Sequence, residues 1–397
     1  MVGVGTTGLW RAPHLPLFLL ASLWAGLVPL VWLAPGLVCD PLAWHRQELP
    51  LGVAGAAMGG YLLSALPHWL KQAGRESGTD ACRPVATRLL VLAWVLGRVF
   101  GGPCTPDALA LFGLGLFPVG LVACLVVPLT RAGARRRLPI ALAPLLLPLI
   151  ALRLRLASDS LTAVLGLTLL VALVGGRIIP AFLRSRAGPD TAGRAPLSAS
   201  ARLADLALGL ALAAHLAGAG PGWVGALMLL AALGQGLRLA RWPLIRGLRG
   251  GQSDLAVLVL SWVWMPLGLA LVGAALLDLA GPPLSDALHA LTMGLMGSTI
   301  LAVMARAWMR RVPGALRLGP ALGLAFALVQ LATLLRLALP LAPAPAALCW
   351  SAAWAIATLA SVTALFRPVP HPVLSARRLP PAPSPADGPT DQSHPRP

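Results

Sequence analysis

The chain has 397 residues, 57% of them hydrophobic and only 11% charged, with a mean hydropathy of +0.80. A water-soluble domain carries about 25% charged residues, so this composition excludes a soluble enzyme and selects a chain whose solvent is mostly lipid. The formal net charge of +18 resides in arginines of short loops between apolar runs, which is a topology signal with attraction to anionic lipid rather than a nucleic-acid footprint.

Apolar stretches of about 18–25 residues recur along the chain, each long enough to cross a hydrocarbon core of about 30 Å. They lie near 15–34, 49–69, 85–101, 107–129, 138–156, 160–183, 203–219, 221–240, 254–279, 286–307, 316–339 and 344–366. They predict an all-α, polytopic transmembrane helical bundle of about 12 helices. Strict apolar–polar alternation is absent, which excludes a closed barrel. The first stretch, after Arg11, is too long for the apolar region of a signal peptide and reads as an uncleaved anchor. Trp10, Trp44, Trp69, Trp223, Trp242 and Trp308 sit at segment ends, as an interfacial belt requires.

The loops alternate in charge. One set holds Lys71, Arg75 and Arg83, then Arg131 and Arg135 to Arg137, then Arg184, Arg186, Arg194 and Arg202, then Arg241, Arg246 and Arg249, then Arg310, Arg311 and Arg317. The other holds Asp40, Arg46 and Glu48, then Asp107, then Asp159, then nothing, then Asp278 and Asp286, then nothing. Basic loops stay in the cytoplasm, so both termini are expected inside (N-in/C-in) in a bacterial inner membrane. Residues 1–366 form the membrane domain, with two six-span halves joined near 184–202. The Pro-, Ala- and Ser-rich 367–397 reads as a disordered cytoplasmic tail.

The five cysteines form no CxxC pair, so zinc and iron–sulfur sites have no support. Cys39 and Cys104 fall in loops on the same outer side; a disulfide between them is open, with the balance of expectation against it.

Ionisable groups at membrane depth default to functional candidates. His45 and Glu48 lie at the outer start of span two, Arg98 near the outer end of span three, His215 near the outer end of span seven and His289 at the outer start of span ten. Neutral imidazole is a common ligand for haem iron and copper. His45 and His289 are the best pair for the two axial positions of a haem, and His215 is a further metal-ligand candidate. Each histidine alone reads first as an interfacial residue bonded to a neighbour. Glu48 shares a helix face with His45; it would orient that imidazole, pair with Arg98, or be a plain helix-start carboxylate. Arg177, within Gly175-Gly176-Arg177-Ile178-Ile179-Pro180, reads as a buried guanidinium needing a haem propionate, a carboxylate or carbonyls, unless it snorkels to the inner surface. Arg306 is similar, and Arg153, Arg155 and Arg336 have no partner legible in sequence. His14 and His68 read as headgroup-level residues, and His371 and His394 as inert. The stripe Gly294, Gly297 and Ser298 suits tight packing or a flat cofactor. Walker A, HExxH, GxSxG and EF-hand patterns are absent.

Several segments carry a resemblance. Trp44-His45-Arg46-Gln47-Glu48, the following helix to Leu66-Pro67-His68-Trp69, the segment Leu92 to Arg98, the Gly175 to Phe182 run, and Leu288-His289-Ala290-Leu291-Thr292-Met293-Gly294 through Ala307 resemble, in order and over nearly the whole chain, the NnrS family. The resemblance implies a haem- and copper-containing membrane protein tied to nitric oxide metabolism and nitrosative stress in denitrifying and related bacteria. The chain departs from that pattern where Gln47 replaces a second histidine, His68 replaces asparagine, Arg311-Val312-Pro313 replaces a His-Thr-Gly run, and no histidine stands near Arg155. His45 and His289 remain, which favours one haem over haem plus copper.

The expectation is therefore a membrane haem protein that handles or senses nitric oxide or iron-nitrosyl species, with Arg177 or Arg98 offsetting cofactor charge. Whether it is an enzyme is left open. The rivals are a 12-span transporter or permease, for which Pro118, Pro144, Pro148 and Pro266 leave room for broken helices, and a non-catalytic assembly factor of a respiratory complex.

Overall fold

The structure, a computed structural model, describes residues 8–74, 84–187, 199–279, 281–312, 315–370 and 372–374. The expected joint at 188–198, most of the tail, His371 and His394 lie outside the described residues.

Eleven of the described helices are long and apolar enough to cross a membrane. With the 17-residue Pro84–Phe100 in the place of the third predicted span, the order is α1 His14–Trp32, α2 Pro41–Gln72, α3 Pro84–Phe100, α4 Asp107–Arg131, α5 Arg135–Ala157, α6 Ser160–Ala187, α7 Ala199–Leu216, α8 Pro221–Ala240, α9 Ser253–Leu276, α10 Leu284–Trp308, α11 Pro320–Ala338 and α12 Pro343–Ala364. The chain is thus a multi-pass helical membrane protein. Leu341, Leu37, Phe112 and Leu203 are among many large apolar side chains left exposed, the arrangement expected where lipid rather than water surrounds the bundle.

Local chemistry sets the ends. Prolines open α2, α8, α11 and α12, where a missing N–H costs nothing. Asp40 caps α2 by accepting from the Ala43 N–H at 2.9 Å. Arg11 caps the other end of the chain, its Nη2 donating to the Ala364 and Leu365 carbonyls at 2.7 and 2.9 Å. Consecutive helices pack on one another from α3 through α12, and α1 closes the circuit between α2 and α12. Burial divides the bundle: α10 and α2 are 67% and 61% buried over their apolar windows, α5 and α7 only 28%. The two spans carrying the best histidine pair are therefore the most interior.

Both of these spans contain π-helical turns. In α2 the α-helix Pro41–Gln47 passes into a π-helix over Glu48–Ala54. Pro50 lies within it, and its ring would clash with a carbonyl of an ordinary α-turn; the wider turn relieves that contact. In α10 the α-helix Leu284–His289 passes into a π-helix over Ala290–Gly297, with no proline to explain it.

The described residues form the expected helical bundle, with one small antiparallel hairpin, Arg310–Val312 (β1) against Ala315–Arg317 (β2). Three sequence expectations change. Of the prolines thought to permit breaks, Pro144 sits in a 3-10 piece of α5, whereas Pro118 and Pro266 lie inside continuous helices. Trp223 is 74% exposed as a belt residue should be, but Trp69 and Trp242 are core residues at 8%. His14, expected at headgroup level, is also buried.

Candidate functional site

The N-terminal ends of α2 and α10 bring His45 and His289 together, with ring centroids 6.4 Å apart and planes 31° from parallel. Trp32 packs edge-on against His45 at 5.4 Å. The His289 Nδ1–H donates to the Ser285 carbonyl at 2.8 Å, which leaves the lone pair on Nε2, the tautomer a metal ligand needs. Nδ1 of His45 is buried without a hydrogen-bond partner among the described residues. A metal–nitrogen bond of about 2 Å plus roughly 1 Å from nitrogen to ring centre puts two imidazoles on one metal about 6 Å apart. The observed spacing is of that size.

Glu48 does not orient His45. It is 1% exposed, and its carboxylate takes Arg98 at 3.0 Å, the Trp24 indole N–H at 2.7 Å and the Gln47 amide at 3.1 Å. Gln47 also donates to the Gly101 carbonyl at 2.6 Å, and so ties α2 to the loop after α3. Trp94 stacks on Arg98 at 5.3 Å and donates to the Gly52 carbonyl in the π-helical stretch at 2.9 Å. A Cβ on Gly52 would meet Arg98 Nη1 and Trp24 Cδ1, each at 2.7 Å; the glycine is what lets this hub close. Just outside it, Cys39 and Cys104 form a disulfide, against the balance of expectation, and pin the loop before α2 to the loop after α3. Arg155 holds the same loop, through Asp107 at 3.0 Å and the Gly102 and Pro103 carbonyls at 3.1 Å each.

Beside the histidines stands Arg336 of α11, which sequence reasoning left without a partner. It pairs with Asp286 at 2.6 Å. Asp286 and His289 are three residues apart and so share a face of α10, and the charge of Arg336 acts on both imidazoles. Its Nη1 is buried with no hydrogen-bond partner among the described residues.

The other candidates lie apart from the pair. His215 Nε2 is bonded to both oxygens of Asp159, at 3.0 and 3.1 Å, between α5 and α6. Burial alone would raise the Asp159 carboxyl, but bonds from Thr162, Arg153 and His215 hold it well below the usual carboxylate range. Arg177 is exposed, which corrects its reading as a buried guanidinium. The glycines beside it serve a neighbour: a Cβ on Gly176 would collide with the Arg238 guanidinium, and one on Gly175 with Trp262.

Two buried ion pairs escaped sequence reasoning. Arg238 of α8 meets Asp205 of α7 at 2.8 Å, and Arg306 of α10 meets Asp254 of α9 at 2.8 Å. The one available signal was that each acid lies within two residues of the start of an apolar run. The small residues of α10 accommodate tryptophans, Trp264 at Gly294 and Trp350 at Gly297, and Ser298 accepts from Gln330 at 2.7 Å. The stripe serves packing rather than a flat cofactor.

A family model described as NnrS protein matches residues 8–368. Searches of curated proteins and of solved structures find no match.

Proposed function

The chain belongs to the NnrS family, and on that premise we propose that it binds haem through His45 and His289 and acts in the handling or sensing of nitric oxide or its iron adducts. The observation that carries this reading is the 6.4 Å approach of two imidazoles on the two most buried spans. The donor set fits a haem iron: two neutral nitrogens from different helices, one with its tautomer fixed by a carbonyl. Bound there, haem supplies a metal that takes nitric oxide or passes one electron.

The protein's own contribution is positional. Ser285 holds the His289 ring in place, Trp32 walls one side of His45, and Arg336 offers an unpaired guanidinium N–H to the carboxylates such a cofactor carries. This role passes to Arg336 from Arg177, which faces outward, and from Arg98, which Glu48 already neutralises. Copper fits less well. Among the described residues no group of three histidine, cysteine or acidic side chains converges, and the Gln47 amide is committed to Glu48 and Gly101.

The same reading orients the chain with both termini in the cytoplasm of a bacterial inner membrane. Arginine-rich loops favour the inside, and a disulfide at the opposite face favours an oxidising compartment outside.

An optical spectrum of the purified protein tests the proposal. A Soret band is expected in the parent and should be lost in His45→Ala and in His289→Ala, each alone. A colourless parent protein, or a band indifferent to both substitutions, would overturn it.

A further inference from the structure

At the far end of α10 from the histidines, the β1–β2 hairpin sets Arg310 directly opposite Arg317. Facing residues of an antiparallel pair have Cβ atoms about 5 Å apart, and like charges so placed repel. Leu316 turns inward and is fully buried, while both arginines are exposed. No acidic side chain among the described residues pairs with either. The two guanidinium groups border an open cavity of about 550 Å³, lined also by Val312, Leu318, Gly319 and Pro320.

Gly319 and Pro320 are the N-cap and first residue of α11, a 19-residue helix whose first turn has no side-chain cap. Its orphan N–H groups and positive dipole end add to the same field. Two opposed cations and an uncapped helix start border one cavity, and a single anion placed there would offset the repulsion and accept from the helix N–H groups.

We infer that this cavity binds a phosphate-bearing anion, supplied at the membrane surface by the headgroup of an anionic phospholipid. Phosphate oxygens match two guanidinium forks and helix N–H groups at once. Val312 and Leu318 give the cavity an apolar edge suited to the glycerol end of a lipid. The hairpin comes after Trp308, the last residue of α10, at the level where headgroups lie. The inference is independent of the haem reading.

The full-length protein in neutral detergent provides the test, through its thermal midpoint against added phosphatidylglycerol, phosphatidylcholine or inorganic phosphate. Phosphatidylglycerol should raise the midpoint and phosphatidylcholine should not. Arg317→Gln should need roughly tenfold more phosphatidylglycerol for the same rise, the loss of one charge-assisted contact. Its midpoint without lipid should equal or exceed the parent's, because a like-charge opposition has gone; this separates lost binding from a damaged fold. Arg317→Lys should keep most of the response. A matching rise with inorganic phosphate would assign the site to free phosphate while keeping the anion chemistry. Equal responses of the parent and an Arg310→Gln, Arg317→Gln double variant, or an equal response to phosphatidylcholine, would overturn the inference.

Discussion

His45 and His289 face each other at 6.4 Å between ring centroids, and each stands on the α-helical turn that leads into a π-helical segment. A π-helical turn holds an extra residue and so resets the angular register of the helix on one side of it relative to the other; such turns recur at functional sites. Pro50→Ala removes the ring that calls for the wide turn, and the same residues returning to α-helix should swing His45 by about 100°. The variant is expected to accumulate in the membrane fraction while its haem per protein falls to background. Unchanged haem content would show that the π-helical register is not what aims His45.

The hub around Glu48 and Arg98 is buried on both sides, with side chains 1% and 10% exposed. Removing one partner of such a pair strands a charge and costs about 3–5 kcal/mol. Glu48→Gln and Arg98→Leu should each lower the thermal midpoint sharply, and the double variant should recover much of the loss. Additive effects in that double-mutant cycle would mean that the two side chains act separately. Gly52→Ala presses on the same atoms, and because the Trp24 ring cannot yield as the end of Arg98 can, a loss of about 1–3 kcal/mol is expected.

The sequence announced the bundle because run length and loop charge are one-dimensional signals; eleven of the predicted spans appear in order as helices long and apolar enough to cross a membrane, and the 17-residue α3 stands in the place of the third. It also placed His45 and His289 at one face, since both open their spans. What it hid was angular and pairwise. Successive residues on a helix differ in direction by about 100°, so a one-residue difference separates Gly176, pressed against Arg238, from the outward Arg177. Partners on different helices left no trace either: Asp286 with Arg336 and Asp254 with Arg306 are joined only by packing. The disulfide was underweighted because sequence placed its cysteines on the same side but not within reach.

Asp286 and Arg336 make a sharper test of the proposed cofactor site, because their charges pull in opposite directions. A positive charge near haem iron favours the reduced form and a negative one the oxidised form. Arg336→Leu exposes the imidazole pair to an unneutralised Asp286, so the haem midpoint potential should fall. Asp286→Asn leaves the guanidinium unopposed, so it should rise. Shifts of about 60 mV correspond to 1.4 kcal/mol for a one-electron couple. Potentials that stay fixed, or move together in one direction, would place the pair outside the field of the iron.

The Cys39–Cys104 disulfide closes a span of 65 residues, for which chain entropy alone gives about 4 kcal/mol. That figure assumes a chain free to wander. Here the bridge joins the start of α2 to the end of α3, and packing of the two helices in the bundle already holds both cysteines at one end of it, so Cys39→Ser should lower stability by well under this value. Its sidedness is the more decisive property. In intact cells a membrane-impermeant maleimide should label Cys39 and Cys104 only after an impermeant reductant is added. Cys82, between α2 and α3 in the sequence, should react only after permeabilisation. Labelling of Cys82 from outside would invert the topology and put the histidine pair at the cytoplasmic surface, where a disulfide at Cys39–Cys104 would face a reducing compartment.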